Sequence, residues 1–200
     1  MIKGRGRKKS MRVLGFMILA LFYTVYFGKM ALQRRRGIQT DQIAKGKRKT
    51  KAFYIELTMK MSTYSVVAAE IVSVLFAPPR LPYLVVIVGV ALGFIGDALF
   101  TAAVLTMKDS WRAGIAVNDK TEMITDGIYS FSRNPAFLAF DCVYVGLLLM
   151  FFNWMLLLFS AFAMTMLHLQ ILQEEQFLFK TFGTAYSDYK NKVCRYFGRK

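Results

Sequence analysis

The chain has 200 residues, of which 56% are apolar and 15% aromatic, and its mean hydropathy is +0.38. These values exclude a typical soluble domain and indicate an integral membrane protein, because the apolar residues are collected in long blocks. The formal net charge is +15, but the Lys and Arg residues lie in short polar segments between those blocks. This pattern is typical of segments that face the cytoplasm and anionic lipid headgroups, and it disfavours nucleic-acid binding.

Five apolar blocks predict an all-α, polytopic membrane protein with about five transmembrane helices, forming a single membrane domain over residues 1–200. The first block is short and follows a basic arm, so we expect a retained anchor that either spans the membrane or lies in its interface. The prolines of "APPRLP" (77–82) predict a tight turn between the second and third blocks. The predicted spans are 13–32, 53–76, 83–107, 135–152 and 155–172.

Two polar segments lie towards the C-terminal half of the chain. Residues 108–134 form a long loop, and residues 173–198 alternate aromatic and charged side chains, as in an amphipathic helix that lies in the membrane interface. Placing the C-terminus inside puts 18 basic residues on the inner face and 7 on the outer face. The positive-inside rule therefore predicts that the loop and the tail are cytoplasmic.

The first candidate site is the junction between this loop and the fourth block. Pro135 suits the first position of a helix and Asn134 suits the N-cap, so a helix is predicted to begin here. Its free backbone N–H groups, together with the Arg133 guanidinium, make a site for an anionic group such as a carboxylate. The spacing leaves an alternative open, in which Arg133 reaches a lipid phosphate and Asn134 only caps the helix.

The second candidate site lies near the end of the fifth block. His168 and Glu175 are two helical turns apart and share a face, whereas Glu174 points elsewhere. In the alternative, the two carboxylates face water and the lone histidine is structural. No metal site is expected, because one histidine without a suitable cysteine cluster cannot bind zinc. A turn at residues 153–154 makes the last two blocks an antiparallel hairpin, so both candidate sites are predicted to share one polar pocket, roofed by the loop and the tail.

Two further features concern helix packing. Lys60 and Asp97 lie at similar depths in the second and third spans, so we predict that they form an ion pair, with Glu56 as a rival partner of Lys60. The spacing of Gly89 and Gly93 predicts close packing between helices.

The stretch "DGIYSFSRNPAFLAF" (126–140) is followed by the pattern H-x5-EE-x2-L-x3-FG-x2-Y-x2-Y. Together they resemble the isoprenylcysteine carboxyl methyltransferase family and its relatives, which include phospholipid N-methyltransferases. "SWRAGI" (110–115) also fits bacterial-type members, and the similarity covers roughly residues 100–197. It implies a multi-span enzyme that binds S-adenosylmethionine at the cytoplasmic membrane face. It also implies two kinds of partner: a lipidic or prenylated acceptor, either a small molecule or a protein, and the membrane lipids.

The resemblance also implies roles for individual residues. Arg133, His168 and Glu175 are the catalytic candidates. Phe137 stands where the family usually has Tyr. Gln170 stands where the prenylcysteine enzymes have an Arg that helps to hold the substrate carboxylate. The implied cofactor-binding residues are Tyr129, Arg133, Asn134, Pro135, Phe137, His168, Glu174 and Glu175.

The acceptor and the enzyme class retain alternatives at this point. A carboxylate acceptor needs no general base, whereas the amine of a phospholipid needs one, for which Glu175 or His168 is the candidate. Steroid-type membrane reductases that use NADPH share a related layout, but "AFLAF" (136–140) replaces their Asn-Tyr-x-Gly-Glu continuation. A non-catalytic membrane scaffold is the third alternative.

Overall fold

The structure of the protein is a computed structural model that describes residues 2–43, 51–114 and 122–200. The described residues are predominantly helical, and their two β-bridges are isolated, so the expected all-α fold is confirmed. Parts of the two long polar loops, including Ile115 of "SWRAGI", lie outside the described residues. The helices are α1 (Ile2–Arg35), α2 (Lys51–Phe76), α3 (Tyr83–Met107), α4 (Pro135–Met150), α5 (Trp154–Phe182) and α6 (Thr184–Lys192).

Four of these helices, α1, α2, α3 and α5, are long and apolar enough to cross a membrane. Helix α4 is also apolar but has only 16 residues. At 1.5 Å per residue its length is about 24 Å, shorter than a hydrocarbon core of about 30 Å. Four candidate spans and one shorter apolar helix confirm the polytopic membrane class.

Glycines allow α3 and α4 to approach each other closely. A Cβ atom added at Gly89 would lie 2.7 Å from the backbone oxygen of Gly146, and one added at Gly96 would lie 2.8 Å from that of Ala139. Neither distance leaves room for a side chain. Gly93 packs against the side chain of Ile18 in α1, so the predicted close packing at Gly89 and Gly93 is confirmed.

A turn at Asn153 joins α4 and α5 into the predicted hairpin. The side-chain oxygen Oδ1 of Asn153 accepts a hydrogen bond from the Leu156 backbone N–H at 2.9 Å, which caps α5. The Asn153 side-chain amide donates to the Ser73 hydroxyl of α2, also at 2.9 Å. The turn is therefore attached to a third helix, and the far ends of α4 and α5 return to one end of the molecule.

The residues of the expected tail helix are divided between two helices. Helix α5 continues to Phe182, ten residues beyond the predicted end of its span, and Gly183 breaks it with φ +54°. Helix α6 follows, and the chain then closes a short turn in which Val193 bridges Arg199.

The predicted ion pair between Lys60 and Asp97 is wrong. Lys60 pairs with Asp41 instead, with Nζ 2.9 Å from Oδ2. Both carboxylate oxygens of Asp97 are buried without a hydrogen-bond partner among the described residues. The reason is the helix arrangement, because α2 packs chiefly on α5, whereas α3 packs on α4 and α1. The consecutive helices α2 and α3 therefore do not pack extensively on each other.

The connector after α1, the loop after α3 and the C-terminal residues meet at one end of the helices. The Gln33 side-chain amide donates to the Trp111 carbonyl at 3.0 Å, and the Arg133 backbone N–H donates to the Cys194 carbonyl at 3.1 Å. The basic N-terminal arm lies at the other end, where the Arg7 guanidinium stacks over the Tyr83 ring.

Candidate functional site

The polar loop reaches α4 through a short 3₁₀ turn, Gly127–Ser130. Gly127 has φ +56°, a conformation that favours glycine, and a Cβ atom at this position would also crowd Thr106 of α3. The turn buries Tyr129, and its carbonyl oxygen accepts a hydrogen bond from the Tyr189 hydroxyl of α6 at 2.7 Å. This loop is therefore held by α3 on one side and by α6 on the other.

Helix α4 begins at Pro135, as predicted, but the Asn134 side chain does not cap it. The Asn134 amide points towards α5 and donates to the Arg195 carbonyl at 3.2 Å and to Glu175 Oε1 at 3.5 Å. The N-terminal end of α4 is thereby joined to α5 and to the end of the chain.

A buried ion cluster lies at this junction. One carboxylate, Glu175, contacts two guanidinium groups: Arg133 Nη2 is 3.1 Å from Oε1, and Arg195 Nη2 is 2.9 Å from Oε2. Arg195 Nε also donates to Oε1 at 3.1 Å, so this second pair is bidentate. The side chains of Arg133 and Glu175 are only 5% and 8% exposed. These contacts bring Arg133 and Asn134 of the first candidate site together with Glu175 of the second.

The cluster carries an excess of positive charge. Two guanidinium groups and one carboxylate leave a net charge of +1. Arg133 Nη1 donates to the Tyr186 hydroxyl at 3.3 Å, while Arg133 Nε is buried without a hydrogen-bond partner among the described residues. Burial, with the nearby Glu175 charge, raises the pKa of Tyr186 to about 12, so its phenol stays neutral at physiological pH. A buried unpaired donor and a net positive charge favour an anionic ligand.

Beside the cluster lies a cavity of about 150 Å³, here called the polar cavity. It lies between the loop, the start of α4, the end of α5 and α6. Five of the eight predicted cofactor-binding residues line this cavity: Tyr129, Arg133, Asn134, Phe137 and Glu174.

A second cavity of about 360 Å³, here called the apolar cavity, lies deeper between α1, α2, α4 and α5. Its walls include Tyr23 and Tyr26 of α1, Val67 of α2 and Leu167 of α5. The two cavities are adjacent and share one wall. That shared wall is formed by Trp111, Arg112, Gly114, Ala136, Phe137 and Glu174.

The other three predicted residues, Pro135, His168 and Glu175, line neither cavity. The His168 ring makes a short hydrogen bond through Nδ1 to the Tyr196 hydroxyl and stacks on the Tyr196 ring. Gln170 is fully buried, and its amide donates to Glu174 Oε1 at 3.0 Å. The two adjacent acids therefore have different surroundings, since Glu174 faces both cavities and Glu175 is enclosed by arginines.

Two residues that complete the ion cluster had no predicted role: Tyr186, which lies in the FG-x2-Y-x2-Y pattern, and Arg195, which lies outside it. Both residues lie in the tail, whose aromatic and basic composition predicted an interfacial helix. The pairing of Arg195 with Glu175 joins residues 20 positions apart and depends on the turns after α5 and α6, for which no residue pattern gave a signal.

Residues 86–180 match the family model of the isoprenylcysteine carboxyl methyltransferase (ICMT) family. The matched segment of 95 residues covers just under half of the chain. It contains most of α3, the polar loop, α4 and nearly all of α5, and hence the shared wall of the two cavities. The resemblance inferred from the residue motifs is thus confirmed.

A fission yeast (Schizosaccharomyces pombe) protein named Protein-S-isoprenylcysteine O-methyltransferase is 31% identical to the chain over 108 residues. The alignment covers 52% of this chain and 46% of the yeast protein. The chain therefore spans about half the length of the curated relative that it matches. Tyr186 and Arg195 lie beyond the segment that matches the ICMT family model.

Proposed function

We propose that the protein is a membrane methyltransferase that uses S-adenosylmethionine to methylate a lipidic acceptor, most like the carboxyl group of an isoprenylcysteine. The ICMT family match and the name of the yeast relative support the reaction class. The observation that carries the proposal is the position of the polar cavity beside the Arg133 cluster. The cluster has a net positive charge, and Arg133 Nε is a buried donor without a partner among the described residues. Both features suit the carboxylate of a methionine-derived cofactor.

The polar cavity offers a partner for each polar part of that cofactor. Arg133 and Asn134 suit its carboxylate, whereas the Glu174 carboxylate suits its ammonium or ribose hydroxyl groups. Tyr129 and Phe137 supply aromatic surface for the adenine ring. When bound, S-adenosylmethionine supplies an electrophilic methyl group on a positively charged sulfur.

The apolar cavity suits the hydrocarbon chain of the acceptor. Its wall carries only two charged side chains among the described residues, Arg112 and Glu174, and both lie in the wall shared with the polar cavity. A lipidic molecule with its chain in the apolar cavity therefore has its polar head at the shared wall, next to the polar cavity. Holding two reactants in this manner provides the proximity on which methyl transfer depends.

For a carboxylate acceptor, the chain's residues need only bind and orient the two molecules and exclude water from them. Opposite charges on acceptor and donor are neutralised during such a transfer, which a site poor in water favours over bulk solvent. We assign contact roles to Tyr129, Arg133, Asn134, Phe137 and Glu174. We assign supporting roles to Pro135, His168 and Glu175, because these three residues line neither cavity.

Phospholipid amine methylation is the second candidate function. The observation in its favour is that Gln170 holds Glu174 at the shared wall, where prenylcysteine enzymes are expected to place an Arg. An amine acceptor needs a base to remove a proton, and Glu174 is the carboxylate that lines both cavities.

Two assays test the proposal. Calorimetric titration of the purified protein in detergent with S-adenosylhomocysteine should give saturable binding, whereas titration with NADPH should give none. Binding of NADPH alone would instead indicate the reductase class, and binding of neither would indicate a scaffold. A radiolabelled methyl-transfer assay with N-acetyl-S-farnesylcysteine and with phosphatidylethanolamine then separates the acceptors. A methyl ester releases its label as methanol in alkali, whereas an N-methyl group keeps it.

We further propose that the site faces the cytoplasm. The described parts of the connector, the polar loop and the tail meet at one end of the helices. In the sequence, these three segments hold most of the basic residues. Positively charged segments of this kind favour the inner side of the membrane.

A further inference from the structure

We propose that Arg195 is a positioning residue for the methyl-donor site. Through Glu175, it holds Arg133 and Asn134 in place at the wall of the polar cavity. The inference rests on the proposed function and extends the site to residues 193–200, here called the tail segment. Arg195 lies outside the segment that matches the family model, which ends at residue 180.

Arg195 is separated from the polar cavity by Glu175 and Arg133. It contacts Glu175 through two hydrogen bonds of 3.1 and 2.9 Å, and Glu175 in turn contacts Arg133 at 3.1 Å. Arg133 and Asn134 line the polar cavity, but neither Glu175 nor Arg195 does. A role for Arg195 in donor binding must therefore act through other side chains.

Backbone hydrogen bonds fix the tail segment against the loop that carries the site. The Arg133 amide donates to the Cys194 carbonyl at 3.1 Å, and the Gly198 amide donates to the Phe131 carbonyl at 2.7 Å. The Asn134 side chain adds a bond to the Arg195 carbonyl at 3.2 Å. The Arg195 guanidinium is thus presented to Glu175 by a segment with a defined register.

Electrostatics explains why Arg195 and Glu175 should act as a unit. A carboxylate shared by two guanidinium groups leaves one of them able to attract a further anion. Without Arg195, the Glu175 charge acts on Arg133 alone and opposes the binding of an anionic ligand at Arg133. Without Glu175, the buried Arg133 and the partly buried Arg195 repel each other, and both lose their carboxylate partner. Either loss should weaken donor binding, and losing both at once should add little.

A double-mutant cycle tests this coupling with the full-length protein in detergent. The variants are Arg195→Gln, Glu175→Gln and the double variant, and the readouts are the dissociation constant of S-adenosylhomocysteine and the KM values of donor and acceptor. We expect each single variant to raise the dissociation constant and the donor KM by about tenfold, a difference of about 1.4 kcal/mol. The acceptor KM should stay within about twofold, and the double variant should match the single variants, as for residues that act as a unit.

Two further variants control the test. Arg199→Gln removes a cation from the same tail segment, where the Arg199 guanidinium donates to the Ser130 carbonyl and stacks on Phe131, and it should leave donor affinity unchanged. Arg195→Lys keeps the charge but not the bidentate geometry, so it should restore part of the affinity. The melting temperature in detergent identifies any variant that does not fold, and in that case Arg195→Lys carries the test by giving an intermediate donor affinity.

Several outcomes would overturn the inference. If the wild-type protein binds S-adenosylhomocysteine but Arg195→Gln and Arg195→Lys bind it equally well, Arg195 has no positioning role and the proposed function stands. If Glu175→Gln abolishes turnover while Arg195→Gln has no effect, Glu175 contacts the reactants itself. If the two single effects add, the residues do not act as a unit. If the wild-type protein binds no S-adenosylhomocysteine and transfers no methyl group, the proposed function fails and the inference falls with it.

Discussion

Arg133 joins three parts of the site through one guanidinium group. Its Nη2 pairs with Glu175, its Nη1 donates to Tyr186, and the side chain lines the polar cavity, with Nε buried and unpaired among the described residues. A planar group with five donors can meet all three demands at once, because its geometry is fixed. The positive charge alone does not account for this arrangement.

Replacing Arg133 with Lys separates charge from geometry. The ammonium group keeps the charge but cannot reach Glu175, Tyr186 and a ligand together, so we expect the affinity for S-adenosylhomocysteine to fall by about tenfold or more. Isothermal titration calorimetry measures this change. Arg36→Lys is the matched control, since Arg36 pairs with Asp109 on the exposed surface, and it should bind normally. Equal affinity in both variants would contradict the role of the guanidinium fork.

The apolar cavity allows the acceptor to be tested apart from the donor. Val67 of α2 lines the apolar cavity but not the polar cavity, so Val67→Trp should fill part of the acceptor space. We expect the KM for a farnesylated acceptor to rise by about tenfold, with unchanged binding of S-adenosylhomocysteine. Val72→Trp places the same side chain on an exposed position of α2 and should alter neither quantity. A lower donor affinity in Val67→Trp alone would show that the two cavities are not separate sites.

At the scale of helices, the contact between α3 and α4 positions the start of α4, which carries the site. The two backbones meet where Gly89 and Gly146 face each other, and a Cβ at Gly146 would lie 2.7 Å from the Gly89 oxygen. Because the obstacle is backbone, the neighbouring helix must move to accept even a methyl group. Any such movement displaces α4 and the residues before it.

Gly146→Ala should therefore destabilise the protein, by about 1–3 kcal/mol for overpacking of this kind. Gly28→Ala is the matched control, because a Cβ at Gly28 meets no atom within 4 Å. Replacing that helical glycine should be neutral or stabilising by up to about 1 kcal/mol. Thermal unfolding in a single detergent compares the two variants, and equal melting temperatures would contradict the proposed close contact.

The sequence predicted those elements whose signals are local. Pro135 predicted the start of α4, and Asn153 predicted the turn that returns α5 to the same end. The boundary at Leu172 followed from hydrophobicity, but α5 continues until Gly183 because a helix ends at a conformational break and not where its polarity changes. The Lys60 partner was wrongly predicted, since it depends on which helices pack together.

The residues of the site were also predicted only in part. The family motif identified Arg133 and both acids, but spacing on a helix did not separate the roles of Glu174 and Glu175. Adjacent residues point about 100° apart on a helix, and only the positions of the surrounding elements determine which of them faces a cavity. Arg195 enters the site through tertiary contacts alone.

At the scale of the whole molecule, the basic segments are divided unequally between the two ends of the helices. The described parts of the connector, loop and tail lie at the end that carries the site, whereas Arg7 and the turn containing Arg80 lie at the other end. The N-terminal arm also carries six basic residues. The arm and the site-bearing segments therefore favour opposite orientations, and the connector, loop and tail hold the larger total of basic residues in the sequence.

This unequal distribution of basic residues predicts an orientation in the membrane, which cysteine labelling can measure. In a background with both native cysteines, Cys142 and Cys194, changed to Ala, single cysteines are introduced at two exposed positions, Arg80→Cys and Lys190→Cys. A membrane-impermeant maleimide applied to intact cells should label Arg80→Cys, whereas Lys190→Cys should react only after the membrane is permeabilised. The reverse pattern would mean that the N-terminal arm determines the orientation and that the site faces outwards, where a cytoplasmic methyl donor does not reach it. Labelling of both positions in intact cells would exclude a fixed membrane-spanning orientation.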